Sequence, residues 1–189
     1  MPCVFARLFK NVNMTKYTNK QRKRFYKVKA KVKPTKLPSI PKGNAINARN
    51  GRKSIIKQVM PEYYGVYYCP AIGSNVVVNS KISLHKAVSA SIENAKSTAI
   101  TLMLREIIGK AEFIYKTKPK DNKGQKSFSE IRVLAAIVKG VGYAKLTIGK
   151  YKDGITDIKA PFCHYCINHL SIHKLKNKEK DTAPYHDAP

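Results

Sequence analysis

Cys163, Cys166, His169 and His173 lie within "CHYCINHLSIH" as C-x2-C-x2-H-x3-H, with His164 inside the cysteine pair. Thiolate and imidazole are the ligands of tetrahedral zinc, so the residue types suit a metal. The spacing does not, because a finger separates its ligand pairs by about a dozen residues and here only Ile167 and Asn168 intervene. Four ligands this close along the chain can surround one ion only through a tight knuckle. Zinc at these four residues is therefore the disfavoured alternative, and no cofactor is expected. A redox pair is less expected still, since it would stand at a helix start after a strand in a βαβ unit.

Two other stretches suit phosphate. "VKGVGYAK", Val138 to Lys145, sets Gly140 and Gly142 beside Lys139 and Lys145. Glycines let a backbone approach an anion whose charge the lysines neutralise, although a plain tight turn would read the same way. In "NAKSTA", Ser97 or Thr98 is a natural helix cap beside Lys96. A helix start attracts phosphate, and a cap without a ligand is equally common. Catalytic chemistry finds little footing. Carboxylates are scarce, no nucleophile elbow is present, and His85 and His186 stand apart from the clustered histidines. The expectation is a protein that is not an enzyme.

The elements that must carry these residues begin with a basic segment. No Asp or Glu precedes Glu62, and "KQRKRFYKVKAKVKPTKLPSIPK" alternates Lys with small or aliphatic residues before Pro34, Pro38 and Pro41. The prolines disfavour continuous helix or central strand, so residues 1–61 read as an extended basic N-terminal arm. An RNA-contacting arm, an acid-poor targeting segment and an idle tail all fit that composition. "YYGVYYCPAIGSNVVVNS" then predicts a hairpin turning near Gly73 to Asn75. Ile100, Leu104, Ile107 and Ile108 share one helical face, which predicts a helix over Thr98 to Ala111 that stops at Gly109 or soon after.

"KTKPKDNKGQKS" reads as a polar loop, Ile131 to Val138 as a buried strand closed by the glycine turn, and Ile155 to Ile158 as a short strand. Regular structure is expected to end at Pro161, leaving a tail that is basic and then polar over 176–189. Strands, a helix and further strands within residues 62–175 predict a small mixed α/β sheet with helices.

Charge bounds the function. The 189 residues hold 37 Lys and Arg against 11 Asp and Glu, a formal net charge of +26, with a pI near 10.0. A basic balance this strong is the footprint of a nucleic-acid partner. No apolar run approaches the roughly 18 residues of a membrane span, so no membrane insertion is expected. Arg7 and Lys10 interrupt any secretory signal. Cys3, Cys69, Cys163 and Cys166 are unevenly spread, and a chain of this size folds without disulfides, which suggests a reducing compartment.

In order, "GVYYCPAIGSNVVVNS", "KSTAITLMLREIIGKA", "IVKGVGYAK" and "TDIKAPFCHYC" resemble the small-subunit ribosomal protein S-eleven family of the ribosomal platform. That family runs from a strand pair through a K-S-T helix start to a strand ending in V-K-G-x-G, and closes with T-D-[IV]-T-P-x-P-H-N-G-C. Thr156, Asp157 and Ile158 match the closing motif, Cys166 falls on its cysteine and His164 lies one place from its histidine. The resemblance covers residues 63 to about 175. It implies a three-layer fold similar to the ribonuclease-H-like ribosomal proteins, and Cys166 as a family remnant in an rRNA-facing loop. The implied partners are small-subunit rRNA, neighbouring platform proteins and the mRNA path nearby. Abundant Lys, Asn, Ile and Tyr suggest an AT-rich genome and a mitochondrial ribosome, with the cytoplasm as the alternative.

The residues expected to face RNA are Arg22, Lys23, Arg24, Lys27, Lys29, Lys31 and Lys33 of the arm; Lys96, Ser97 and Thr98 at the helix start; Lys139, Gly140, Gly142 and Lys145 at the glycine turn; and Lys159, His164 and Lys174 near the end. Two other readings compete. A viral nucleocapsid or coat protein would also use a basic arm to hold its genome. A nuclease would need clustered carboxylates for divalent metal, which this composition disfavours.

Overall fold

The computed structural model describes residues 18–33, 37–78, 91–120, 125–152 and 165–173. "FSEIRVLAAIV" and "GYAKLTIGKY" form the two longest strands, β5 (Phe128–Val138) and β6 (Gly142–Tyr151), paired antiparallel. Leu134, Ala135 and Ala136 are buried without a polar break, as befits a strand covered on both faces. The glycine turn joins β5 to β6, with Gly140 at φ 78°, a conformation that side-chain-bearing residues rarely adopt.

Five further strands complete a seven-stranded mixed sheet in an α/β fold: β1 (Lys31–Val32), β2 (Gly65–Cys69), β3 (Ser74–Val78), β4 (Glu112–Thr117) and β7 (Tyr165–His173). Their order is β1-β5-β6-β7-β3-β2, and β4 also pairs with β5. β1 runs parallel to the end of β5 at Ile137 and Val138, whereas β4 runs antiparallel along Ile131 to Ala135. The two short strands thus share one edge of β5. β2 and β3 form the expected hairpin, with Gly73 at φ 60° after a 3-10 turn over Pro70–Ile72.

One face of the sheet carries the main core. Val76, Val138, Leu146, Ile148 and Ile167 meet Ile56 and Met60 beside helix α2 (Ile46–Val59), Ile100 of α3 (Ala95–Leu102), and Ile107 and Ile108 of α4 (Leu104–Lys110). On the opposite face Phe25 of α1 (Asn19–Tyr26) and Val28 cover Ile114, Val133 and Ala135. All four apolar residues expected on the helical face, Ile100, Leu104, Ile107 and Ile108, are buried. The helix itself is broken at Met103, whose φ of −108° and ψ of 20° leave the helical range. It ends at Lys110, just past Gly109 as expected.

Three expectations are corrected. Residues 18–33 and 37–61 are not an extended arm: Thr18 and Gln21 form a capping box that starts α1, β1 joins the sheet, and α2 is a full helix. Phe25, Val28, Val32, Ile56 and Met60 anchor this region. The dense lysines had hidden their helical and strand spacing. Residues 37–45 before α2 are irregular, but they are fastened by Arg52, which is 1% exposed. That guanidinium donates to the carbonyls of Pro41 and Gly43 (both 2.9 Å), Ile92 (2.8 Å) and Glu93 (3.2 Å). Gly51 lets Pro41 approach, since a Cβ there would stand 3.0 Å from the proline ring.

Secondly, regular structure does not end at Pro161, because Tyr165–His173 is an inner strand between β6 and β3. Its sequence has three apolar residues, Ile167, Leu170 and Ile172, facing the main core at uneven spacing. A bulge against Thr147 and Ile148 absorbs the extra residue. Thirdly, β4 extends through Thr117, so the polar loop starts at Lys118. Residues 1–17, the Ile155 to Ile158 strand and the 176–189 tail lie outside the described residues.

Candidate nucleic-acid interface

The acidic residues set the electrostatics. Among the described residues these are Glu62, Glu93, Glu106, Glu112 and Glu130. Glu93 pairs with Arg49 at 2.8 Å. Glu112, at the start of β4, accepts through Oε1 the backbone N–H groups of Lys29 (2.8 Å) and Ala30 (2.5 Å), which fixes the approach to β1. Glu130 on β5 accepts from Arg132 at 2.5 Å and from the Tyr165 hydroxyl at 3.1 Å, and pairs with Lys116. Burial pushes the Glu130 carboxyl up, but the hydrogen bonds from Lys116, Arg132 and Tyr165 outweigh it and bring the carboxyl down to about 2. Burial and the Glu130 charge push the Tyr165 phenol up to about 12, against the opposing pull of Arg132. Glu112 and Glu130 thus use their charge to hold the fold, and Glu93 is paired at the surface.

The lysines are left outside. Lys23, Arg24 and Lys27 of α1 and its C-terminal cap are exposed, as are Lys29, Lys31 and Lys33 around β1, and Arg22 also lies on α1. Arg24 is oriented by donating from Nη1 to the Ile114 carbonyl at 2.8 Å. Lys139 is exposed at the β5–β6 turn, and its N–H bonds the Val32 carbonyl at 3.1 Å, so the turn abuts the end of β1. Lys145 is half-buried on the α1 side of the sheet, near His173. One side of the sheet therefore gathers Lys23, Arg24, Lys27, Lys31, Lys33, Lys139 and Lys145.

No family model, curated protein or solved structure matches this chain. The assignment of an interface rests on its own geometry.

That geometry separates the second expected cluster from the first. Lys96, Ser97 and Thr98 lie on α3, on the main-core side of the sheet. Only Lys96 is exposed. The cap is Asn94, not Ser97 or Thr98: its side chain accepts the Ser97 N–H at 2.9 Å. Thr98 is fully buried and donates its hydroxyl to Ser91 O at 2.7 Å, so it does not face RNA. The glycine turn is likewise a hairpin turn, with the Val141 N–H directed to Val138 O at 3.1 Å. Its lysine remains available to an anion, but the N–H groups of Lys139 and Val141 do not.

The cysteine and histidine cluster is drawn out along β7. Cys166 is 1% exposed, opposite Gly149 of β6 and Val77 of β3, which corrects the expected rRNA-facing loop. Burial and the neighbouring Cys166 sulfur raise the Tyr151 phenol above its ordinary range. Seven residues of strand place Cys166 and His173 roughly 20 Å apart, too far to share an ion whose bonds are about 2 Å long. His173 instead stacks on Phe25. Lys159, Cys163, His164 and Lys174 lie outside the described residues. No helix among the described residues is long and apolar enough to cross a membrane.

Sequence reading missed Glu112 and Phe113. Phe113 is 44% exposed on β4, opposite Leu134 of the main-core face, and an open surface groove beside it is lined by Arg24, Lys27, Glu112 and Ile114. The β-branched and aromatic residues of "EFIYKT" suit a strand, but nothing local placed α1 beside it.

Proposed function

We propose that this chain is a structural RNA-binding constituent of the small ribosomal subunit, a divergent S-eleven-like protein at the platform near the mRNA exit of a mitochondrial ribosome. One observation carries the RNA-binding part: Glu112 and Glu130 are engaged within the fold and Glu93 is paired with Arg49, while the lysines of α1, β1 and the β5–β6 turn are exposed on one side. A surface so arranged attracts the phosphates of structured RNA, which position a protein without reading sequence. The mechanism is neutralisation of packed phosphates and support of rRNA shape, with no catalytic step. A mixed sheet with helices on both faces is compatible with the ribonuclease-H-like fold of the proposal. The platform setting rests on the motifs alone.

Sedimentation of the tagged full chain from mitochondria tests the setting. Co-migration with small subunits is expected, and sedimentation apart from them would overturn it. Regular particles formed by the purified chain with heterologous RNA would instead favour a coat protein. Binding of structured RNA should weaken steeply with salt through counterion release, and charge reversal at Lys23, Lys27 and Lys31 together should flatten that slope. An affinity indifferent to both would remove the electrostatic mechanism.

A further inference from the structure

We infer that the exposed face of α2 is a second RNA-docking surface, so that one chain bridges two RNA segments, an inference that rests on the RNA-binding reading above. In "INARNGRKSIIKQV" the inward residues are Arg52 and Ile56, both buried, with Ile55 and Val59 half-buried beside them. At 3.6 residues per turn the opposite side of the helix carries Asn47, Asn50, Lys53, Ser54, Lys57 and Gln58, all exposed. α2 contains no acidic residue. Glu93 beside it is paired with Arg49, and Glu62 lies past its end in the 3-10 turn Met60–Tyr63. Two lysines one helical turn apart, among amides and a hydroxyl, suit a phosphate backbone: the ammonium groups neutralise it while the amides and hydroxyl bond its oxygens and the ribose hydroxyls. A helix that lies on lipid needs several bulky apolar side chains on its outer face. On α2 only Ile46 is large, apolar and exposed.

The placement of α2 makes this surface separate from the first. Ile56 belongs to the main core, whereas Phe25 of α1 belongs to the cluster on the opposite face of the sheet. A duplex lying on Lys23 and Lys27 is therefore divided from Lys53 and Lys57 by the sheet and its core. α2 is also held firmly, since Arg52 bonds the carbonyls of Pro41, Gly43, Ile92 and Glu93 and Ile56 is buried. Two phosphate-binding sides on one firm body set the spacing between the RNA segments they hold. That is how a protein without a catalytic step can support RNA shape.

The probe is a one-turn RNA duplex, too short to reach around the chain, added to the full-length protein and counted per chain by native mass spectrometry. Two duplexes per chain are expected at saturation, and donor- and acceptor-labelled duplexes should transfer energy within the complex. Lys53→Glu with Lys57→Glu should remove the second duplex and the transfer while leaving the first duplex bound and the melting of the protein unchanged. Lys53→Arg with Lys57→Arg should keep both duplexes, and Lys23→Glu with Lys27→Glu should leave only the one on α2. A single duplex on the parent chain would overturn the bridge and leave the electrostatic reading standing. A second duplex that survives reversal of Lys53 and Lys57 would overturn the assignment to α2. One duplex per chain, with Lys53 and Lys57 needed instead for binding anionic lipid vesicles, would give the face to lipid and overturn the inference. Failure of the duplex to bind at all would overturn both readings.

Discussion

Phe25 of α1 stacks on His173 of β7 with ring centroids 4.3 Å apart and planes 19° from parallel. The contact joins a residue of the basic N-terminal region to one near the end of the last described strand. It closes α1 over the second face of the sheet, where Phe25 is fully buried. Phe25→Ala should cost about 3 to 5 kcal/mol, as large aromatic truncations in cores do. Chemical denaturation measures this, and a loss below about 1 kcal/mol would mean that α1 is not part of the cooperative fold.

The same contact responds to acid. Burial, and then the Lys145 charge, hold the His173 imidazole below its ordinary value of 6.5. The unfolded chain therefore takes up the proton first, so the contribution of His173 to stability is full above about pH 6.5 and is lost as the pH falls further. The protection factors of the α1 amides, referenced to intrinsic exchange at each pH, should fall between pH 7.5 and 5.5, and His173→Phe should remove that fall. Protection in α1 that ignores both would show the imidazole to be uncoupled from docking.

Glu130 responds lower on the pH scale. Its carboxyl is depressed from 4.5 to about 2, so its stabilisation is present above 4.5 and is lost as the pH falls through the folded value. Glu130→Gln should destabilise by on the order of 2 to 3 kcal/mol near neutrality, with the gap to the parent protein closing toward pH 2. Parallel denaturation curves at pH 7 and pH 3 provide the check. A gap that stays constant would assign the loss to packing.

Arg52 is the buried cation of α2 with only carbonyls around it among the contacts described. Arg52→Met leaves the carbonyls of Pro41, Gly43, Ile92 and Glu93 without their donor and should cost about 3 kcal/mol or more. Arg52→Lys should recover little, because one ammonium cannot reproduce a planar fork directed at two separate segments. Full recovery by lysine would show that charge matters there and geometry does not.

Gly149 makes room for Phe128. A Cβ on Gly149 would lie 2.6 Å from the Phe128 ring, which also rests against Tyr151 with centroids 4.8 Å apart. Gly149→Ala should therefore cost about 1 to 3 kcal/mol through overpacking, and Phe128→Leu should relieve part of it. Additive losses in the double variant would contradict the contact.

Some of this protein was determined by local sequence. The β2–β3 hairpin follows from two β-rich runs around Gly73, the buried face of α3 and α4 from Ile100, Leu104, Ile107 and Ile108, and the β5–β6 turn from Gly140. These depend on periodicity and on φ, which neighbours in the chain dictate. The partner of α1 was not legible, because Phe25 and Val28 acquire meaning only when β4 and β5 lie beneath them. Nor was the inner strand at Tyr165–His173, whose bulge breaks the two-residue alternation and whose parallel neighbour β3 is distant in the chain. The candidate site divides in the same way. Its charge is written in the composition, but which lysines share a side, and that Thr98 is turned inward, were decided by long-range packing around the sheet.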